Sequence, residues 1–483
     1  MSTIHYKLVF AVFFSIAWLF QSSFAQGTLQ QLLNNGPNAK RINIVFLSEG
    51  YTAKQLPQFI TDATNNLNSF LNTPPNSGYK SFFNAFAISV ASTDSGSDHP
   101  SRSIFRNTYF NSTYDTYNIA RLITINSAGS NNAYTLLQNL IPEYDIVIMI
   151  VNDTEYGGSG GGIAITSVNS SALEIVTHEL GHSFAGLGDE YSDAYPGYPD
   201  IEEPNTTKET VPDKIKWKSW IVKTTPIPTP KTAQYGSVVG LFEGAHYHTT
   251  GWYRPKLSCK MLSLGVPFCE VCSETFVTSY YKFLRPIESF SPISPEIFLS
   301  DTQSVILSII HLNPTGKSIE VEWFVDGIRR NGENESTFKI VAKDFGIGQH
   351  TAYCIVRDTT LLVRNDPSTL LRDSVLWNIS VSNASDVLTD HLDKIPNHFF
   401  LEQNFPNPFN PATTIAFNLP ISSFVTLTVY DMMGREIEIL IAQEMSPGRF
   451  TQQWNASKLS GGIYICELRS GSYKQTIKLA LIK

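Results

Sequence analysis

Apolar and polar positions along the chain follow three successive patterns. From Arg41 to about Pro286, strand-length apolar runs alternate with helical periodicity: Ile42 to Ser48 and Asp145 to Val151 predict strands, and Leu56 to Leu71 predicts a helix. From about Ser289 to Ser382 the period shortens to two. Ile319 to Val325 alternates and runs into the turn Asp326-Gly327, and Gly346 to Val356 repeats the turn-and-strand unit. The last stretch alternates again over Val425 to Val429 and Thr476 to Leu481, with turns at Gly434 and Gly461-Gly462. These patterns predict an α+β domain over 40–286, an immunoglobulin-like β-sandwich over 289–385, and a second small β-sandwich over 396–483.

Length and charge fit this division. A chain of 483 residues is too long for one core, and a net charge of −8 without a basic run excludes nucleic acid as a partner. Met1 to Ala25 has the form of a signal peptide: Lys7 precedes the apolar run Leu8 to Phe20, and Ser23-Phe24-Ala25 supplies small residues for cleavage. The mature chain is expected to begin near Gln26, outside the cytoplasm, and no other stretch reaches the length of a transmembrane helix. Three of the five cysteines, Cys259, Cys269 and Cys272, fall within fourteen residues. Export favours oxidation, so a disulfide from Cys259 to Cys269 or Cys272 is expected; a zinc-thiolate site on Cys269 and Cys272 would need two further ligands, with only Cys259 near. Cys354 lies in a strand pattern, as a small buried apolar residue would.

The candidate chemistry is concentrated in His178-Glu179-Leu180-Gly181-His182. Residues four apart on a helix share a face, so two imidazoles can hold one ion while Glu179 reaches the water beside it. Ser171 and Glu174 have the spacing of a capping box at the start of this helix, Leu173, Val176 and Leu180 give it an apolar stripe, and Gly186 and Gly188 end it. A catalytic zinc needs a third protein ligand. Asp189, after the glycine reversal, is the leading candidate, with Glu190 and Glu202 as alternatives.

The runs Tyr156 to Gly161 and His178 to Tyr191 resemble the IgA-peptidase family of secreted bacterial zinc metallopeptidases. So do Ser48-Glu49-Gly50-Tyr51-Thr52, Gly240 to Gly244, Tyr253-Arg254-Pro255, Cys259-Lys260-Met261 and Phe268 to Cys272, which together span about residues 40 to 285. The resemblance implies a metzincin-like zincin fold, with Zn2+ on His178, His182 and Asp189, Glu179 as general base, and Met261 in a turn beneath the metal. Asp189 follows His182 by one residue more than the third histidine of the common metzincin pattern. In zincins the strand before the metal helix, here Ile163 to Thr166, edges the cleft, and the glycines preceding it would let a substrate backbone approach. Leu401 to Pro411, Tyr430-Asp431, Gly434-Arg435 and Gly461 to Tyr464 resemble the C-terminal sorting domain of type IX secretion. That resemblance implies export through the periplasm of a Gram-negative Bacteroidetes-type bacterium to the surface or medium, with the secretion machinery as partner.

Together these features predict a secreted zinc endopeptidase acting on a protein or peptide substrate. Tyr191, Tyr253 and Arg254 are candidate donors to the transition state or substrate. His246 and His248, alternating on a strand, are expected to be exposed or to line the cleft. The rival is a surface adhesion or glycan-binding protein on an inactive zincin fold, against which the intact Glu179 argues.

Overall fold

Ile42–Glu49 (β2) is buried at all eight positions because it lies inside a sheet covered on both faces. Its even-numbered apolar residues Ile42, Ile44 and Phe46 join one core, and Val45 and Leu47 join another. The alternation of a strand thus assigns one largely apolar run, broken only by Asn43 before Ser48, to two layers. The computed structural model describes residues 27–316, 318–330, 336–383, 398–471 and 473–482. The predicted signal segment, Met1 to Ala25, lies outside the described residues.

Six strands form this sheet: Thr28–Leu33 (β1), β2, Phe83–Ser89 (β3), Ile146–Val151 (β4), Gly158–Ser159 (β5) and Ala164–Ser167 (β6), in the order β1-β3-β2-β4-β6-β5. The four inner strands are parallel, and the two edge strands are antiparallel to their neighbours. Helices Leu56–Asn72 (α1), Ala172–Ser183 (α3) and Glu270–Phe283 (α4) bury Phe59, Leu67, Val176, Leu180, Phe276 and Tyr280 on one face. Ser127–Leu140 (α2) buries Ala133, Leu136 and Leu137 on the other. Because β1 pairs with β3, the domain reaches back before the expected boundary at residue 40.

Residues from Ile287 to Ser382 form a sandwich of one three-stranded and one five-stranded sheet around Trp323 and Trp377. It docks on the first domain. Asp358 accepts hydrogen bonds from Tyr79 (2.9 Å) and Tyr281 (2.8 Å), Glu274 of α4 accepts from the backbone N–H of Asn365 (2.8 Å), and Leu312 and Leu371 enter the first domain's core. Residues 398–482 fold around a separate core that includes Leu427, Trp454 and Leu479. The proline-rich stretch is part of that unit: Phe409 is buried and its backbone pairs with Ala480 and Ile482 beside the last strand. Cys354 is buried in the sandwich core, as its strand pattern suggests. Among the described residues, no helix is long and apolar enough to cross a membrane.

Candidate metal centre

Helix α3 brings His178 and His182 onto one face, with their Nε2 atoms 3.2 Å apart. Each ring is oriented through its other nitrogen. His178 Nδ1 lies 3.0 Å from the Lys260 carbonyl, and His182 Nδ1 lies 2.7 Å from the Leu187 carbonyl, contacts that a protonated Nδ1 makes as donor. That tautomer leaves both Nε2 lone pairs aimed at a common point. The helix does not start as expected. Ser171 makes no side-chain cap, and Glu174 reaches not back to it but out, to Lys260 and to the Gly265 N–H (3.0 Å). A capping pair has therefore been diverted into a clamp on the loop that orients His178.

Gly186, at φ 65°, reverses the chain, and the Leu187 N–H returns to the Gly181 carbonyl at 2.9 Å. The reversal delivers Asp189, whose Oδ1 lies 3.2 Å from His178 Nε2 and 3.3 Å from His182 Nε2. This buried oxygen makes no directed hydrogen bond. Burial alone would raise the Asp189 carboxyl, but the two imidazoles hold it well below the usual carboxylate range. Burial likewise opposes protonation of His182, yet Asp189 lifts that imidazole to about 9. Three donors so spaced fit one ion: in a tetrahedral zinc site with bonds of about 2.0–2.1 Å, neighbouring donors are about 3.3–3.4 Å apart.

The other oxygen of Asp189 accepts a 2.6 Å hydrogen bond from the Tyr247 hydroxyl. Tyr247 and His246 form the tip of a hairpin between Phe242–Ala245 (β7) and His248–Arg254 (β8), and both residues adopt left-handed φ, 56° and 54°. Such a tip normally takes asparagine or glycine. Here its backbone is engaged: His246 N–H donates to the Asp189 carbonyl (3.0 Å) and Tyr247 N–H to the Tyr191 carbonyl (2.9 Å). The strained turn thus positions Asp189 through both backbone and side chain. Tyr247 was not anticipated. It lies 58 residues beyond Asp189 in the sequence, and no motif links them.

Glu179 projects toward the glycine-rich edge. A methyl group on Gly160 would stand 2.6 Å from Glu179 Oε2, so the missing side chain makes room for the carboxylate. Met261 is buried in the turn that follows Cys259, with its sulfur under Gly181, between the two histidines; a Cβ there would lie 2.6 Å from Sδ. Strand β6, expected to edge the cleft, does not. It is covered by β5, whose outer side in turn pairs with Leu122, so Gly160 to Gly162 is the exposed segment beside Glu179. Gly158 packs tightly against Ile165 and Ile175, so its lack of a side chain serves the sheet itself.

The remaining candidates separate clearly. Tyr191 stacks beside His178, at 6.1 Å between ring centroids, and burial pushes its hydroxyl up to about 12, so it stays a donor near neutral pH. Arg254 is buried with its guanidinium on the backbone carbonyls of Gly244 and Glu190, and Tyr253 packs against the core; neither is brought to the histidines. Glu202 pairs with Lys216, and Glu190 points away from Asp189 toward the cysteines. His246 is buried against Trp252 and not exposed, and His248 stacks on the same indole. The expected disulfide is not formed. All three clustered cysteines are free thiols, and Cys259 and Cys272 hold their sulfurs 3.5 Å apart, well beyond the roughly 2.05 Å of a bond.

The family model for IgA Peptidase M64 matches residues 30–235 and 231–279, and that for the Secretion system C-terminal sorting domain matches 403–483. No curated protein matches the chain. Among solved structures, dimeric latent PorU from Porphyromonas gingivalis aligns at 15% identity and TM-score 0.15, over 41% of this chain and 20% of that one. The β-glucuronidase 3 of Bacteroides uniformis aligns at 9% identity and TM-score 0.24, over 48% of this chain and 28% of that one. The chain thus spans less than a third of the length of either.

Proposed function

The chain belongs to the IgA peptidase M64 family, and from that premise we propose that it is a secreted zinc-dependent endopeptidase of zincin type with Glu179 as its general base. The observation that carries this reading is the convergence at 3.2–3.3 Å of His178 and His182, on the helix that also presents Glu179, with Asp189 from the chain that returns after it. These three residues would hold the metal, and the unpartnered Asp189 Oδ1 would cease to be an orphan. Zinc bound there would supply Lewis acidity toward water and the scissile carbonyl.

The chain's own residues account for the rest. Glu179 accepts the proton of the attacking water on its carboxylate and returns it to the departing amine nitrogen. Gly160 keeps the space that this carboxylate occupies. The Tyr191 ring lies beside His178, which supports its hydroxyl as the donor to the oxygen that would gain charge as the carbonyl is attacked. An extended peptide approaching along the exposed Gly160 to Gly162 segment would find no side chain on the segment itself, with the Tyr134 hydroxyl beside Gly162 and Glu179 beside Gly160. Leu180 and Met261 pack beneath, excluding water from the rear of the site.

The sorting domain directs the chain to the type IX secretion machinery and so to the cell surface or the medium. Incubating the purified full chain with a peptide library, with and without chelator, tests the proposal. Cleavage at internal bonds that is lost on chelation and restored by zinc is the expected result. A zinc-loaded chain that cleaves no peptide would favour the adhesion alternative.

A further inference from the structure

Behind the segment that carries Asp189, four buried donors meet. Cys259, Cys269, Cys272 and Glu190 place one ligand atom each within 4.8 Å of all the others, and none of the four residues is more than 3% exposed. The sulfurs of Cys259 and Cys272 are 3.5 Å apart, and Cys272 Sγ lies 3.6 Å from Glu190 Oε1. Glu190 Oε1 also accepts from Asn205 (3.0 Å), but Oε2 is fully buried without any hydrogen-bond partner. A carboxylate held among thiols with one oxygen unpaired is costly unless a cation completes the set.

We propose that these four residues form a second metal site, closed and structural, taking zinc. The donor set is chemically apt, since thiolates with one carboxylate suit a borderline-soft ion. Bonds of about 2.3 Å to sulfur and about 2.0 Å to oxygen in a tetrahedron separate sulfurs by about 3.8 Å and sulfur from oxygen by about 3.5 Å, close to the spacing here. Four protein donors leave no position for water, which marks a structural and not a catalytic ion. A disulfide would serve the cluster less well: joining Cys259 to Cys272 leaves both Cys269 and Glu190 Oε2 unpaired in the interior.

The site's place in the chain gives it a purpose. Cys259 directly precedes Lys260 and Met261, whose carbonyl and side chain support His178 and Gly181. Glu190 directly follows Asp189, and its N–H donates to the Met261 carbonyl at 2.9 Å. Cys269 and Cys272 sit at the start of α4, one turn apart. One ion would therefore tie the Met261 turn, the Asp189 segment and α4 together from behind, fixing the first metal's ligands without touching substrate. Cys259, Cys269, Cys272 and Glu190 are positioning residues in this account.

Zinc-edge X-ray absorption together with elemental analysis of the full chain, purified without chelator, tests the proposal. About two zinc ions per chain are expected, with a sulfur shell at about 2.3 Å beside a nitrogen and oxygen shell near 2.0 Å. His178→Ala should lower the zinc count to about one and leave the sulfur shell in place, whereas Glu190→Gln should weaken retention of the sulfur-bound ion. A sulfur shell alone in the unsubstituted chain would sustain this site and remove the histidine one. A spectrum with nitrogen and oxygen scatterers only would overturn the proposal, as would a disulfide among the three cysteines found by mapping the alkylated, denatured chain.

Discussion

Tyr247 shows how much of a candidate metal centre can lie outside its motif. The His178–His182 pair and Glu179 are legible in the sequence because helical geometry alone puts them together. Asp189 is legible because the chain reverses directly after Gly186. The hydroxyl that orients Asp189 is not, because a hairpin from a distant segment delivers it. Arg254 and Tyr253 mislead for the opposite reason: polar chemistry near a family-like motif is spent on backbone carbonyls and core packing. Tyr247→Phe keeps the ring and removes only the hydrogen bond to Asp189. Losses of outer-shell partners weaken metal affinity about ten- to a hundredfold, and a shift of that size is expected for this variant in a competition titration against a chelator. Unchanged affinity would mean that the hairpin backbone alone holds Asp189.

Among the elements, β2 and β4 are legible because strands buried on both faces are predominantly apolar, with Asn43 the one polar residue between Ile42 and Leu47, and α1 because its stripe has helical period. The edge strands are not. Gly158–Ser159 is two residues long, without side-chain pattern, and exists because glycine lets it lie against Ile165 and Ile175. The start of α3 defeats the capping rule since Glu174 has a stronger partner in Lys260. Contact between α3 and the Met261 turn is equally specific. Gly181→Ala ought to favour the helix by propensity, but its methyl would press on the Met261 sulfur, which must then move. Overpacking of this kind costs about 1–3 kcal/mol, so a lower melting temperature is expected in thermal denaturation, with weaker zinc retention beside it. A variant more stable than the parent would show that Met261 moves freely and bears no load under the site.

For the chain as a whole, the three patterns of hydrophobic alternation fall on four cores, two against the faces of the first sheet and one in each of the later units, and β1 extends the first sheet before residue 40. What alternation cannot convey is how the units depend on each other. The first sandwich is not a passive appendage: Asp358 pairs with Tyr79 and Tyr281, and Leu312 and Leu371 complete the core around α4. Ending the chain at residue 286 should therefore lower the stability of the first domain and reduce peptide turnover, while ending it at 383 should leave both intact, as thermal melts and peptide assays of the two truncations would record. The longer truncation should also fail to reach the cell surface in its native host. Equal stability of the two fragments would make the sandwich dispensable.

In the proposed reaction Glu179 moves the proton while His178, His182 and Asp189 would hold the metal. Glu179→Gln preserves the shape of the side chain beside Gly160 but removes its capacity to accept a proton. The decisive measurement is peptide turnover by this variant at a zinc content verified to equal that of the parent. Turnover should fall by about two to four orders of magnitude, the usual contribution of a general base. Turnover near that of the parent, with the metal in place, would contradict the account.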